Sequence, residues 1–175
     1  MIAVRLRPGT RAATLAAMQG AVRLATAADL ESLVRLAGEF RRFLERGDPS
    51  DAEFRNGCRA LLRDANTEFA VATDATLGAL GYAQTRYRLS AWNGGVEAEL
   101  EDLFVSAAAR GRGVGRKLLE FVLQCVRARG CRVMLLATNE RNREALALYE
   151  SLGFRAERER WENGRQLCLD LLLPR

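Results

Sequence analysis

The chain has 175 residues, of which 49% are hydrophobic and 28% are charged. These fractions are typical of a globular protein with one hydrophobic core, and no apolar run reaches the about 18 residues that span a membrane. The formal net charge of +5 favours anionic ligands, and the absence of histidine excludes His-based triads, histidine metal ligands and a histidine general base. The four cysteines stand singly, without metal-ligand spacing, so we expect reduced thiols, no metal site and a cytoplasmic location.

The first elements can be predicted from apolar spacing. Residues 1–20 contain no acidic side chain, and we expect them to be an N-terminal extension, with Met18 as an alternative start. The domain is placed at residues 21–175 and opens with a short strand, followed by a helix from Leu30 to about Arg46. The further predicted elements are a helix over 50–64, strands over 69–72, 80–89 and 96–105, a helix over 114–129, a strand over 132–138, a helix over 142–152, and a closing hairpin over 154–161 and 166–173.

This order, βααβββαβαββ, predicts a single α/β (α+β mixed) domain. The run from Val133 to Ala137 is continuously apolar, which is typical of a central buried strand. Asn93-Gly94 predicts a tight hairpin between two of the strands, and Gly130 and Gly153 stand where helices should end.

An anion site is indicated between the fourth predicted strand and the helix that follows it. Three glycines in five positions, flanked by arginines, stand around the start of the helix that is predicted from Val114. Glycine lets the backbone approach a ligand closely, and a helix N-terminus offers unpaired N–H groups and positive potential. A simple tight turn is the alternative interpretation. The residues of this turn are Arg110, Gly111, Arg112, Gly113, Val114, Gly115 and Arg116.

A second cluster falls on the helix predicted over 142–152. Asn142, Ala145 and Tyr149 are spaced i, i+3 and i+7, so they share one helix face. A tyrosine on an amphipathic helix usually only packs against the core. Here it shares its face with a polar Asn and a small Ala, which leaves room for a ligand.

These two motifs resemble the GCN5-related N-acetyltransferase (GNAT) superfamily. The turn at 110–115 is similar to its acyl-CoA motif Q/R-x-x-G-x-G/A, and the run from Asn142 to Phe154 is similar to the helix and strand that follow. The resemblance implies a mixed, mostly antiparallel central sheet flanked by helices, with acetyl-CoA as co-substrate and no metal. One departure is Ala107, where family members often carry proline.

The resemblance also implies roles for individual residues. The backbone of Leu103, Phe104 and Val105 would pair with the pantetheine arm, and the Val105 N–H would polarise the thioester carbonyl. The glycine and arginine turn would hold the pyrophosphate, with Asn142 and Ala145 lining the pantetheine and thiol end. Tyr149 would protonate the departing thiolate.

The acceptor amine must lose a proton, and without histidine a carboxylate, directly or through water, is expected to take it. Glu97, Glu99 and Glu101 alternate along the strand and share a face, with Asp102 on the other unless a bulge resets the register. Asp102 directly precedes Leu103, at a place where some aminoglycoside-modifying relatives carry an acidic base. We therefore favour Asp102, with Glu101 and Glu99 as rivals.

The leading hypothesis is an N-acetyltransferase that acts on a primary amine of a small molecule or peptide, by direct attack in a ternary complex. The alternative is a non-catalytic acyl-CoA-binding or regulatory module. Nucleic-acid binding is disfavoured, because the arginines are interleaved with glutamates and no aromatic platform accompanies them. We expect no membrane association, and either a monomer or a homodimer.

Overall fold

A computed structural model of the chain describes residues 21–155, and these divide after Ala137 into two units. The predicted extension over residues 1–20, and nearly all of the hairpin predicted from Phe154 onward, lie outside the described residues. None of the helices in residues 21–155 combines the length and the apolar character that crossing a membrane requires.

Among residues 21–155, the first unit holds five strands and three α-helices, and the second holds one α-helix. Over the described residues the order is βααβββαβα, as predicted, and the mixed α/β class is confirmed. The strands are β1 (Ala21–Leu24), β2 (Thr67–Asp74), β3 (Gly78–Ser90), β4 (Gly95–Val105) and β5 (Met134–Leu136), and the helices are α1 (Leu30–Phe43), α2 (Asp51–Leu61), α3 (Val114–Ala128) and α4 (Arg143–Ser151).

The sheet follows the chain order β1-β2-β3-β4-β5. The first three pairs are antiparallel and only β4 and β5 are parallel, so the prediction of a mostly antiparallel sheet is confirmed. The strand predicted around Met134 is present as β5, which is half-buried and pairs with β4 from Ala98 to Leu100. Its predicted central position depends on the hairpin predicted after it, nearly all of which lies outside the described residues, so that part stays a prediction.

Capping side chains explain where α1 and α2 begin. The Thr26 N–H donates to Asp29 Oδ2 at 2.8 Å, and one turn of 3-10 helix leads into α1. Ser50 and Glu53 form the equivalent capping box at α2. The first helix ends earlier than predicted, because Glu45 has a left-handed φ of 55° and the Arg46 N–H turns back to bond within the helix.

The sheet buries its two faces differently. Val71, Tyr82 and Phe104 stand opposite one another on β2, β3 and β4, and they pack with residues of α1 and α2 in one core cluster. The other face is covered by α3, since a Cβ atom placed on Gly81 would lie 3.3 Å from Leu118 Cδ1. Neighbouring residues of a strand point to opposite faces, so α1 and α2 lie on one side of the sheet and α3 on the other.

Candidate active site

The turn between β4 and α3 has the open backbone that an anion-binding loop needs. Gly111 and Gly113 have left-handed φ values of 72° and 75°, and a Cβ atom at either residue would meet nothing within 4 Å. The Lys117 N–H donates to the Gly113 carbonyl at 3.1 Å and closes the first turn of α3. The N–H groups of Val114 and Gly115 therefore precede the hydrogen-bonded part of the helix, where the helix dipole favours an anion.

The three arginines predicted for this turn lie in different surroundings. Arg112 is exposed, and Arg116 is 3.7 Å from Glu120 one helical turn along α3. Arg110 instead points to the end of β4, where its Nε donates to the Val105 carbonyl at 3.1 Å. The positive charge at the open turn therefore comes chiefly from Arg112 and Arg116.

Among the described residues, the end of β4 has a backbone edge with no strand paired to it. Its pairing with β5 stops at Leu100, whereas its pairing with β3 continues to Val105. The Phe104 carbonyl faces β3, since its oxygen lies 2.6 Å from where a Gly81 Cβ atom would stand. Successive backbone groups of a strand point to opposite edges, so the N–H groups of Leu103 and Val105 face away from β3. Two hydrogen-bond donors thus line this free edge directly before the glycine turn.

A bulge in β4 decides which carboxylates share a face. Gln84 stands opposite Asp102 and Thr85 opposite Leu100, so Glu101 is the extra residue. Without the bulge, Asp102 would lie on the face covered by α3. With it, Asp102 lies on the face of α1 and α2, together with Glu97 and Glu99, which stand opposite Arg88 and Arg86. The bulge that the sequence analysis allowed for is therefore present, and it moves Asp102 to the face of Glu97 and Glu99.

Three of these four carboxylates are bound by arginine. Arg88 bonds to Glu97 at 2.6 Å and to Glu99 at 2.8 Å. Glu101 pairs with Arg86 at 3.0 Å and also accepts a hydrogen bond from the Gln84 amide. An arginine bound to a carboxylate occupies its oxygens, which leaves them less available to accept a proton from a substrate.

Asp102 has a different environment. It is half-buried, and among residues 21–155 no arginine or lysine forms an ion pair with it. The Tyr82 hydroxyl donates to its Oδ2 at 2.9 Å. Burial raises the pKa of Asp102 above its ordinary value, while the bond from Tyr82 opposes that rise and the neighbouring charge of Glu101 adds to it. A carboxylate with a raised pKa is a better proton acceptor near neutral pH than an arginine-paired one.

The second unit holds the other predicted site residues on and before α4. Asn142 is the N-cap of the helix rather than its first residue, and its Oδ1 accepts from the Ala145 N–H at 3.3 Å. Tyr149 is 9% exposed, and its ring meets Phe154 edge-on with centroids 5.9 Å apart. Burial raises the pKa of Tyr149, so its hydroxyl stays protonated and able to donate at neutral pH. Ala145 is half-buried.

Sequence reasoning did not identify two residues that contact the site in the first unit. Tyr82 bonds to Asp102, and Phe43, on the last turn of α1, lies under the guanidinium of Arg110. Tyr82 lies in a continuously buried run of β3, and its contact with Asp102 depends on the bulge that brings both residues to one face. Within residues 21–155, no group of three or more cysteine, aspartate or glutamate side chains is arranged to hold a metal ion.

Comparison with known proteins gives a consistent family assignment. A family model described as the acetyltransferase (GNAT) family matches residues 30–154, which run from the start of α1 to just beyond α4. The crystal structure of an acetyltransferase from Trypanosoma brucei is similar, with a TM-score of 0.66 and 28% identity over 87% of this chain and 99% of that one.

Two named relatives match this chain over different shares of its length. A thialysine N-epsilon-acetyltransferase from Sus scrofa is 34% identical over 49% of this chain and 51% of its own length. The chain therefore spans about half the length of that relative. An aminoglycoside N(6')-acetyltransferase type 1 from Salmonella typhimurium is 31% identical over 73% of this chain and 88% of its own length.

Proposed function

The chain belongs to the acetyltransferase (GNAT) family, and on that premise we propose that it transfers the acetyl group of acetyl-CoA to a primary amine by direct attack in a ternary complex. One observation carries the proposal. In the first unit, the edge of β4 at Leu103 and Val105, free among the described residues, is joined by one turn of 3-10 helix (Ala107–Ala109) to the open turn at Gly111 and Gly113. An extended molecule with an amide-bearing arm and a phosphate end matches these two features in that order.

The donor is assigned to the backbone of this stretch. Acetyl-CoA supplies the acetyl group as a thioester. The N–H groups of the turn hold its pyrophosphate, and Arg112 and Arg116 add positive charge. The outward backbone groups of Leu103 and Val105 pair with the amides of the pantetheine arm, while Phe104 fixes the strand to the core. The Val105 N–H also donates to the thioester oxygen, where negative charge develops during attack.

Asp102 is assigned as the general base, directly or through one water molecule. An amine attacks only in its neutral form, so the enzyme must accept a proton from the ammonium group of the substrate. The absence of an arginine partner and the raised pKa support Asp102 over Glu101 and Glu99, whose oxygens are engaged by Arg86 and Arg88.

The roles proposed for residues of the second unit follow the family resemblance. Tyr149 donates a proton to the departing sulfur, a role that its raised pKa supports because the phenol remains neutral at the working pH. Asn142 and Ala145 line the pantetheine end. The Asn142 side chain caps α4 and so also fixes where that helix begins.

The acceptor is proposed to be a cationic small molecule or a peptide amine. The names of the relatives specify amines, namely thialysine for one and an aminoglycoside for another. In this chain, Glu97, Glu99 and Asp102 lie on the α1 and α2 face of β4, and Asp102 among them lacks an arginine partner within the described residues. A positively charged amine would be attracted to this face.

Calorimetric titration with acetyl-CoA, followed by thiol release across a panel of polyamines, lysine analogues, aminoglycosides and peptides, tests the proposal. We expect cofactor binding at micromolar concentration and release of free CoA with at least one amine, with a mass increase of one acetyl group on that amine. Binding without turnover on any acceptor would instead support the non-catalytic acyl-CoA-binding module. No binding at millimolar acetyl-CoA would reject both.

A further inference from the structure

We propose that Tyr82 is a positioning residue for the base: its hydroxyl holds one oxygen of Asp102 and leaves the other oxygen to accept the proton of the amine. This inference rests on the proposed function, which assigns Asp102 as the base. It adds a residue on a different strand, and it predicts a measurable effect on the pH dependence of the reaction.

The hydroxyl of Tyr82 is held rigidly. The side chain is 2% exposed and belongs to the core cluster beneath α1 and α2. Its ring lies 6.3 Å from the Phe69 ring, and the residue stands opposite Phe104 in the sheet. A phenol fixed by packing on several sides loses little entropy when it bonds, so the 2.9 Å contact to Asp102 Oδ2 orients the carboxylate.

The direction of this hydrogen bond is set by chemistry. An ionised carboxylate can only accept, so the phenol donates. Burial raises the pKa of Tyr82 far above its ordinary value, and the charge of Asp102 and the bond itself raise it further. The phenol therefore remains neutral over the working pH range, and Asp102 is the member of the pair that titrates.

Other groups around Asp102 do not replace this bond. Glu101 on β4 is negative and pairs with Arg86, and Cys58 on α2 is a buried thiol whose pKa is raised mainly by burial and further by the charge of Asp102. In the described part of the chain, Tyr82 is thus the group that stabilises the charged form of Asp102, against burial and a like charge. Removing its hydroxyl should raise the pKa of Asp102 further.

The same strand offers a matched control. Tyr87 is also buried, at 3% exposed, and its hydroxyl donates to Glu68 Oε2 at 2.7 Å. It lies on the opposite face of β3, under α3, because residues 82 and 87 differ by an odd number. Tyr87→Phe therefore removes a comparable hydrogen bond between a tyrosine and a carboxylate without touching Asp102.

The test compares kcat/KM against pH for the wild type, Tyr82→Phe and Tyr87→Phe. In Tyr82→Phe we expect the acidic limb to move to higher pH, with kcat/KM on that limb about tenfold lower, which is the scale of one hydrogen bond to a charged group. Tyr87→Phe should keep the wild-type limb. Site-specific 3-fluorotyrosine at position 82 keeps the packing and makes a stronger donor, so it should move the limb to lower pH.

Carboxyl ¹³C NMR titration of Asp102 in the free protein gives a readout that needs no turnover, and Tyr82→Phe should raise the titration midpoint. An unchanged midpoint together with an unchanged limb overturns the inference about Tyr82. If Asp102→Asn is at the same time nearly inactive, the proposed function stands. If Asp102→Asn is fully active, Asp102 is not the base, and the inference fails with that assignment.

Discussion

The guanidinium of Arg110 lies over the ring of Phe43, with the ζ carbon 4.4 Å from the ring centroid. Its Nε donates to the Val105 carbonyl, and its charge also lies 5.7 Å from the Phe104 ring. The side chain therefore joins the last turn of α1 to the end of β4. Arg110 belongs to the predicted pyrophosphate motif by its position in the sequence. Its side chain, however, contacts the end of β4.

This geometry predicts different effects for two neighbouring arginines. Arg112→Gln should weaken acetyl-CoA binding about threefold and reduce the salt dependence of binding, because it removes an exposed charge near the phosphates. Arg110→Gln should lower kcat about tenfold with the salt dependence unchanged, because the Val105 edge loses its anchor. Calorimetry at several salt concentrations and steady-state kinetics measure both effects. Equal salt dependence in the two variants would contradict this division of roles.

The two rival carboxylates can be separated by paired substitutions. Asp102→Asn should lower kcat/KM about a hundredfold or more, because a general base contributes on that scale. Glu101→Gln should lower it only a few fold, since its oxygens are already bound by Arg86 and Gln84. Initial rates of thiol release, with circular dichroism to verify folding, measure the difference. A larger loss in Glu101→Gln would reverse the assignment.

Tyr149→Phe should lower turnover about a hundredfold while acetyl-CoA affinity changes less than threefold, because the hydroxyl acts on the leaving group and the ring still packs against Phe154. Calorimetric affinity and steady-state turnover of the same preparation provide the comparison. Wild-type turnover would remove Tyr149 from the acid role, and a parallel loss of affinity would indicate a binding role.

Gly81→Ala should destabilise the protein by about 2 kcal/mol or more, because the added methyl group would lie 2.6 Å from the Phe104 carbonyl oxygen and force β3 away from β4. Gly57→Ala is the matched control. Gly57 lies within α2, where a Cβ atom meets nothing within 4 Å, so alanine should be neutral or stabilising by up to about 1 kcal/mol. Urea unfolding measures both. Equal stability of the two variants would show that the strands separate at no cost.

The ion pair between Arg23 and Asp29 should make the free energy of unfolding depend on pH in the acidic range. Two hydrogen bonds from the guanidinium, at 2.7 and 2.8 Å, are the largest influence and lower the pKa of Asp29 to about 2. The folded pKa lies below the unfolded value, so this stabilisation is present above about pH 4 and is lost as the pH falls towards 2. Asp29→Asn should cost about 1–2 kcal/mol at pH 7, after allowance for the half-exposed arginine, and almost nothing at pH 2. Unfolding at both pH values measures the difference, and an equal cost at both would contradict the ionic origin.

The order of elements was predictable because it depends on local properties. Apolar spacing in α1 and α3, turn residues such as Asn93-Gly94, and the left-handed φ required at Gly111 and Gly113 act over a few residues. They are therefore visible in one sequence. The ends of elements were less accurate, as at Glu45, where a non-glycine residue takes the left-handed conformation that ends α1.

The surroundings of the favoured carboxylate, Asp102, depended on tertiary structure. Simple alternation along the strand would place Asp102 on the face opposite to Glu97, Glu99 and Glu101. The bulge at Glu101 is seen only in the pairing of β3 with β4. That pairing also sets which carboxylates meet arginine, and it brings Tyr82 within 2.9 Å of Asp102 from 20 residues away. The family, the order of the described elements and the position of the glycine turn could thus be predicted from residue spacing and motifs. The environment of each charged group was decided by cross-strand neighbours, because a pKa depends on contacts of a few ångströms that residue spacing does not specify.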